Sequence, residues 1–204
     1  TENIDIVMNE LDALVNIDLD KKEFKKEHTA LQLFRLGTCG SVNPDVEVDN
    51  MLVSENVVGL DGLLHFYIDY DFENEFSKNF LEKFPYEKIK PLLYFSEWTA
   101  SQYEYFKDAK YVGNTATFPG FYAPQGRQLR LKSTDDQFLE VLNDLGVTNF
   151  EMETSAIYGL SKLLGHKAIT INNVIANRRR GEFAADHHQS EKMMIEWVLE
   201  RVIK

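Results

Sequence analysis

Three sets of residues, in four short segments, combine charged side chains with small, amide or aromatic residues in ways that suit ligand binding. The first is RLGTCGS at 35–41, where Arg35 is the one cation of an otherwise apolar run. Its small residues let the main chain approach a ligand, and Thr38, Ser41 and main-chain N–H groups can donate hydrogen bonds to an anion. The segment therefore fits an oxyanion or sugar site. A tight turn, with Arg35 paired to a structural carboxylate, fits it as well.

The second segment, FPGFYAPQGR at 118–127, places aromatic rings beside polar side chains. Gln125 offers both a donor and an acceptor, and Arg127 offers a planar fork of donors. Together with a stacking ring, these groups suit a flat heterocycle that carries carbonyls and an imide N–H. A proline-rich loop with exposed polar residues is the simpler alternative.

The third set of residues lies in two further segments, FEMET at 150–154 and NVIANR at 173–178, the second of which is at the end of an expected strand. Glu151 and Glu153 flank one methionine at the start of an expected helix. Because residues at i and i+2 do not share a helical face, we expect one carboxylate to reach solvent and the other to accept hydrogen bonds from a vicinal diol. Enrichment of Glu in a first helical turn is the alternative. The basic run 178–180 can serve an anionic ligand or form a solvated loop.

Hydrophobic periodicity predicts the elements that position these segments. Helices are expected at 3–16, 73–84, 96–107, 133–145, 151–164 and 186–203, and strands at 30–36, within 46–60, at 110–118 and at 167–177. Ser133 is the expected cap of the fourth helix, Gly165 closes the fifth, and Met193 is expected to face inward in the last. Alternation of strands and helices indicates one α/β domain with a mostly parallel sheet, and ligands bind such sheets at the carboxyl ends of strands.

Composition excludes several classes of protein. The chain has 204 residues, and 22 basic against 33 acidic side chains give a net charge of -11, which argues against a nucleic-acid partner. The single cysteine, Cys39, excludes an internal disulfide and indicates a packing residue. The chain shows neither a membrane-spanning run nor a secretory signal, so we expect a cytoplasmic protein. We expect no metal: His187 and His188 are adjacent, and His28, His65 and His166 are isolated.

Taken together, the segments resemble the nucleoside phosphorylase-I family, and within it the uridine phosphorylases. The matching motifs are RLGTCGS (35–41), GLDGLLHF (59–66), GFYAPQGR (120–127), NFEMETSAIYGL (149–160) and VIANR (174–178). The resemblance implies a single α/β domain over residues 1–204, with a central mixed sheet partly curled into a barrel and flanked by helices. It also implies that a preceding N-terminal segment, which carries part of the phosphate site in that family, is missing from this chain.

The resemblance further implies reversible phosphorolysis of uridine to uracil and ribose 1-phosphate, with phosphate as co-substrate and no cofactor. Carried over by motif, Arg35 and Thr38 look like phosphate ligands, and Thr38, Met152 and Glu153 look like ribose contacts. Gln125 and Arg127 look like the uracil readers; together with Glu153 they are the expected catalytic residues. The base pocket would be completed by Gly40, Phe121, Ile175 and Arg178. A homo-oligomer, either a dimer or a ring of dimers, is implied as well.

One position bears on the substrate. Purine-cleaving relatives carry an Asp in the segment that matches VIANR, whereas this chain has Asn177, and an amide cannot act as that acid. With Gln125 and Arg127 both present, uracil is favoured. A purine nucleoside phosphorylase, a nucleosidase, and a non-catalytic truncated relative that binds nucleoside are the alternatives.

Overall fold

A seven-stranded mixed sheet forms the centre of the molecule. The computed structural model describes residues 2–68, 70–133, 135 and 137–203. The sheet consists of β3 (Gln32–Ser41), β4 (Met51–Gly59), β5 (Tyr94–Glu97), β6 (Tyr111–Thr117), β7 (Val147–Glu151), β8 (Lys167–Asn177) and β9 (Glu182–Phe183). A separate antiparallel pair, β1 (Ile17–Asp18) and β2 (Glu23–Phe24), lies outside it.

Five of these strands close into a barrel. The sheet order is β5-β4-β6-β7-β3-β8-β9, and β4 also pairs with β8, which joins the two sides of the sheet. The pairs β4–β6, β6–β7 and β3–β8 are parallel, whereas β3–β7 and β4–β8 are antiparallel. The expected α/β fold with a mixed, partly barrel-like sheet is confirmed, and the mostly parallel sheet expected from strand–helix alternation is corrected.

Helices flank the sheet on several sides. They are α1 (Glu2–Asn16), α2 (Glu75–Lys83), α3 (Ala100–Tyr103), α4 (Phe138–Asp144), α5 (Thr154–Leu163) and α6 (His187–Val202). α5 packs against β8, β5 and β4, α1 packs against α5, and α6 packs against β8. Gly165, at φ 72, follows the end of α5 in the left-handed conformation that a helix terminus favours, as the sequence predicts.

The burial of β8 explains why it lies inside the sheet. Its apolar side chains Ile169, Ile171 and Val174 are fully buried, and its polar Asn172 and Asn173 are buried with hydrogen-bond partners on other elements. β-branched residues pack well on a pleated surface, and a strand covered on both faces reads as a nearly continuous apolar run.

Several expected boundaries are wrong. The segment 96–107 is the end of β5 followed by short helical turns, and the helix expected from 151 begins at 154, because Glu151 belongs to β7. α4 begins at Phe138 rather than 133, and the Ser133 hydroxyl contacts the main-chain oxygen of Asp135, 3.3 Å away. Residues 134 and 136 of that expected helix lie outside the described part of the chain. Met193 is 55% exposed rather than facing inward.

Candidate active site

A cavity of about 400 Å³ opens where β3, β7 and β8 end and the 118–127 loop begins. Among its lining residues are nine of the predicted site residues: Arg35, Thr38, Gly40, Phe121, Gln125, Arg127, Met152, Glu153 and Ile175. Strands from distant parts of the sequence thus bring their carboxyl ends to one place. The cavity is also lined by residues that sequence reasoning did not assign to it: Cys39, Phe150, Glu151, Ala176 and Phe183.

A β-bulge places Ile175 in the cavity wall. The register of β3 against β8 runs from Cys39 opposite Val174 to Gly40 opposite Ala176, so Ile175 is the extra residue. A bulge re-aims the side chains around it, and bulges are frequent next to active sites. Beside it, a Cβ on Gly40 would lie 2.6 Å from Cζ of Phe150. A glycine is therefore required at this position for the β3 backbone to approach the aromatic wall.

The cation of the cavity floor is Arg35, and two carboxylates hold it. Its Nη2 lies 3.1 Å from Oε2 of Glu151 and is hydrogen-bonded to Glu153, while its Nη1 donates to Oδ1 of Asn172 at 2.7 Å. Burial alone would lower the pKa of Arg35, but the charges of Glu151 and Glu153 outweigh it and raise that pKa. The guanidinium is therefore fixed and charged, with its remaining N–H groups able to bind an oxyanion.

Both glutamates point to the same side, which corrects the expectation that one would reach solvent. Glu151 is the last residue of β7 and Glu153 precedes the first turn of α5, so the helical rule for i and i+2 does not apply. In an extended chain, residues two apart share a face. Glu151 is buried and accepts hydrogen bonds from Thr117 and from two main-chain N–H groups. The Glu153 side chain is 34% exposed. It lines the cavity, where its carboxylate oxygens can accept further hydrogen bonds from a ligand.

Gln125, Arg127 and Phe121 form a preassembled group in the cavity wall. Gln125 is buried, and its Oε1 accepts a hydrogen bond from Nη1 of Arg127. The guanidinium of Arg127 stacks 3.8 Å from the centroid of the Phe121 ring and donates to its carbonyl oxygen at 2.9 Å. Burial, and secondarily the charge of Arg178, lower the pKa of Arg127. The group offers a ring, an amide and a cation, which are the contacts a flat, carbonyl-bearing heterocycle needs.

Two predicted residues are not in the cavity wall. Arg178 lines a neighbouring cavity with Glu140 and Arg179, and it reaches the first cavity through its charge on Arg127. Asn177 turns its side chain away: Nδ2 donates to the carbonyl oxygens of Asn43 and Val46, and Oδ1 accepts from the N–H groups of residues 179 and 180. Every polar atom of the Asn177 side chain is thus committed to main chain.

Cys39 lies in the wall and packs among apolar side chains. It is fully buried in a cluster with Val46, Leu52 and Val174, and burial raises the pKa of its thiol to about 12. A thiol with a raised pKa is not the nucleophilic form, which agrees with the packing role expected from the sequence.

Comparison with known proteins bears on this fold and cavity. A profile of the phosphorylase superfamily matches residues 13–204, and the chain belongs to that family. The recognition made from the sequence motifs is therefore confirmed at the family level.

Individual relatives divide between two substrate classes. Uridine phosphorylase of Haemophilus influenzae is 28% identical over 156 residues, which cover 72% of this chain and 54% of that protein. A DeoD-type purine nucleoside phosphorylase of Shewanella loihica is 26% identical, covering 89% of this chain and 67% of that protein. The chain thus spans about half to two thirds of the length of these relatives.

Among solved structures, a nucleoside phosphorylase of Trypanosoma brucei, described as showing uridine phosphorylase activity, aligns with a TM-score of 0.86 and 26% identity. The alignment covers 99% of this chain and 76% of that one. Isoform 2 of uridine phosphorylase from Schistosoma mansoni aligns with a TM-score of 0.64 over 97% of this chain and 66% of that one. At 22% identity, the similarity to the Schistosoma mansoni protein concerns the fold alone.

Among the described residues, none of the helices combines the length and the apolar character needed to span a membrane.

Proposed function

We propose that the cavity binds uridine and phosphate and that the protein catalyses their reversible conversion to uracil and ribose 1-phosphate. The observation that carries this proposal is the buried Gln125 hydrogen-bonded to Arg127, with Arg127 stacked on Phe121. Uracil presents two carbonyl oxygens and one imide N–H along its edge. A carboxamide complements the adjacent carbonyl and N–H, and a guanidinium complements the other carbonyl oxygen.

The same two side chains give the group a catalytic role. In the proposed reaction the C1′–N1 bond breaks, its electron pair goes to uracil, and a phosphate oxygen forms the new bond to C1′. Negative charge therefore builds on the carbonyl oxygens of the departing base. Donors that are fixed in advance stabilise such charge most in the transition state, and Arg127 is fixed by its stacking and its bond to the Phe121 carbonyl.

The ribose is assigned to Met152 and Glu153, and the phosphate to Arg35 and Thr38. All four line the cavity. Arg35 is already paired with the carboxylates of Glu151 and Glu153. One positive and two negative charges give this cluster a net charge of −1 before phosphate binds. Arg35 and Thr38 therefore supply only part of what a phosphate dianion requires, and further cationic ligands must complete its site.

A purine nucleoside is the second candidate, because some of the matching relatives are purine nucleoside phosphorylases. Asn177 does not decide between the two, since its amide faces main chain rather than the cavity. The preference for uridine over a purine nucleoside thus rests on Gln125 and Arg127 alone.

We also propose a homo-oligomer. Helix α1 exposes Ile6, Val7 and Leu14, an apolar face that a second copy of the chain can cover. Light scattering tests this, and a strictly monomeric chain would refute it.

The decisive experiment measures base release from uridine and from inosine, with and without phosphate. Phosphate-dependent release of uracil supports the proposal, and phosphate-dependent release of hypoxanthine alone supports the purine alternative. Release without phosphate indicates a nucleosidase, and uridine binding without turnover indicates a non-catalytic relative.

For Arg127→Ala we expect a rate lower by ~10²–10³. The control is Arg180→Ala, which changes an exposed arginine outside this cavity and should keep the parent rate. Unchanged cleavage by Arg127→Ala would remove the base-reading assignment.

The ribose assignment has its own measurement. Glu153→Gln keeps the size of the side chain but replaces an oxygen that can accept from the sugar hydroxyls. We expect a weaker preference for uridine over deoxyuridine. Equal selectivity in parent and variant would refute the assignment.

A further inference from the structure

Three metal-ligating side chains converge at the far end of α5, away from the cavity. Asp12 comes from α1, His28 from the connection between β2 and β3, and His166 from the turn after α5. One ligand atom from each lies within 4.8 Å of those from the other two, and the two imidazole rings stack with centroids 5.7 Å apart. Sequence patterns do not reveal this cluster, because the three residues are far apart along the chain.

The geometry between Asp12 and His166 is that of two ligands on one ion. Oδ1 of Asp12 lies 3.3 Å from Nε2 of His166. Two ligands with bonds of roughly 2.0–2.1 Å to a tetrahedral metal lie about 3.3–3.4 Å apart. The imidazole of His166 is wholly buried, yet its Nε2 has no hydrogen-bond partner among the described residues. Buried polar atoms are normally paired, so this nitrogen, aimed at a carboxylate, calls for a further ligand.

The protons of the two imidazoles are compatible with a metal. Nε2 of His28 lies 2.9 Å from the carbonyl oxygen of Leu164 and must donate to it, which leaves the lone pair of Nδ1 available. A backbone carbonyl on the second ring nitrogen is the usual support of a metal-binding histidine. Nδ1 of His166 accepts one long bond, 3.3 Å, from the N–H of Leu31. A metal on Nε2 would move the ring proton to Nδ1, which then faces the N–H of Leu31, so that bond would be lost.

We propose that Asp12, His28 and His166 bind one divalent transition metal ion of the Zn²⁺ type, with solvent as the fourth ligand. Two imidazoles and one carboxylate suit Zn²⁺ or Co²⁺, whereas Mg²⁺ and Ca²⁺ prefer all-oxygen sites. The ten residues of α5 separate this cluster from Glu153 by about 15 Å. The ion therefore fastens α1 and the connection after β2 to the barrel, and takes no part in chemistry at the cavity.

The test uses chelator-treated, dialysed protein titrated with Zn²⁺ by calorimetry and with Co²⁺ by visible absorption. We expect one ion per chain, absorption bands of tetrahedral Co²⁺, and a Tm that rises with Zn²⁺. Asp12→Asn keeps the side-chain shape, and His28→Ala alters an exposed residue. Each variant should lower Zn²⁺ affinity at least tenfold while matching the parent in circular dichroism and in Tm measured with chelator.

The control is the double variant His187→Ala/His188→Ala, which removes the exposed imidazole pair at the start of α6. It should leave Zn²⁺ affinity unchanged. Loss of binding in this control, with the Asp12 and His28 variants unaffected, would mean adventitious binding at α6 and would overturn the proposal. No binding to the parent protein, or bound Zn²⁺ with no rise in Tm, would overturn it as well.

Discussion

The guanidinium of Arg35 lies 3.1 Å from the carboxylate of Glu151, whose side chain is 2% exposed. One oxygen of Glu151 accepts from Thr117 at 2.6 Å, and the other accepts two main-chain N–H groups at 2.9 Å. The pair therefore joins the first half of β3, where Arg35 lies, to the ends of β6 and β7. A buried ion pair of this kind is costly to break from one side, because the remaining charge stays in a poorly solvated place.

Removing the cation should destabilise the fold strongly. For Arg35→Met we expect a loss of about 3 kcal/mol or more in the free energy of unfolding, because Glu151 and Asn172 lose their partner. The matched control is Arg180→Met, which breaks the surface pair of Arg180 with Glu182 and should cost less than about 1 kcal/mol. Urea denaturation measures both. Equal losses in the two variants would mean that the Arg35 cluster contributes no more than a surface pair.

The site was predictable where local sequence determines it. Arg35, Thr38 and Gly40 lie in one strand, and Gln125 and Arg127 lie in one loop, so each group could be read from a short motif. Their convergence was expected from the rule for parallel strands, but β3 runs antiparallel to β7 and meets it through the last residues of both strands, Gly40 opposite Phe150 and Ser41 opposite Asn149. Glu151 was misjudged because the boundary of one element was displaced by three residues, from 154 to 151. In the predicted helix Glu151 and Glu153 would point in different directions, whereas in the extended chain of the structure they share a face.

The barrel closure and the orientation of Asn177 could not be read from the sequence. Closure depends on the antiparallel pairing of β4 with β8, between residues more than a hundred positions apart, and periodicity does not reveal strand partners. The side chain of Asn177 is turned by the two carbonyl groups of the 43–46 loop, a tertiary contact that its neighbours do not encode. The Asp12–His28–His166 cluster is hidden for the same reason.

Gln125 and Arg127 should act as one unit. Because Arg127 donates to Gln125, removing either side chain releases the other from its fixed position. We expect the losses in rate for Gln125→Ala and Arg127→Ala to be strongly non-additive, with a coupling of about 0.5–3 kcal/mol in a double-mutant cycle on kcat/KM for uridine. Strict additivity would show that the two side chains act independently on the base. Pairing Gln125→Ala with Arg180→Ala provides a cycle between distant residues, for which additivity is expected.

Asn177→Asp tests whether that position selects the base. A carboxylate cannot donate to the carbonyl oxygens of Asn43 and Val46, which lie 2.9 and 2.7 Å from Nδ2. We expect a loss of at least ~2 kcal/mol in the free energy of unfolding and no gain of inosine cleavage. Asn79→Asp, an exposed change on α2, should stay within about 0.5 kcal/mol. A stable variant that cleaves inosine would show that the side chain reaches the cavity and would restore this residue as a substrate determinant.

Cys39 predicts a specific loss of stability at high pH. Burial raises the pKa of its thiol from 9.0 to about 12, so the folded protein keeps the proton over a range in which the unfolded chain releases it. The contribution to stability is complete below pH 9 and is lost as the pH rises toward 12. Over about pH 8 to about pH 10.5 the thiol alone accounts for about 2 kcal/mol. Cys39→Ala should therefore lose less stability than the parent across that range, measured by urea denaturation. Buried tyrosines such as Tyr70, whose pKa is also raised to about 12, affect both proteins alike.

The burial of Cys39 should also limit thiol labelling of the folded protein near neutral pH to the rate at which the fold opens. Rapid labelling, or parallel stability curves for parent and variant, would show that solvent reaches the thiol in the folded cavity.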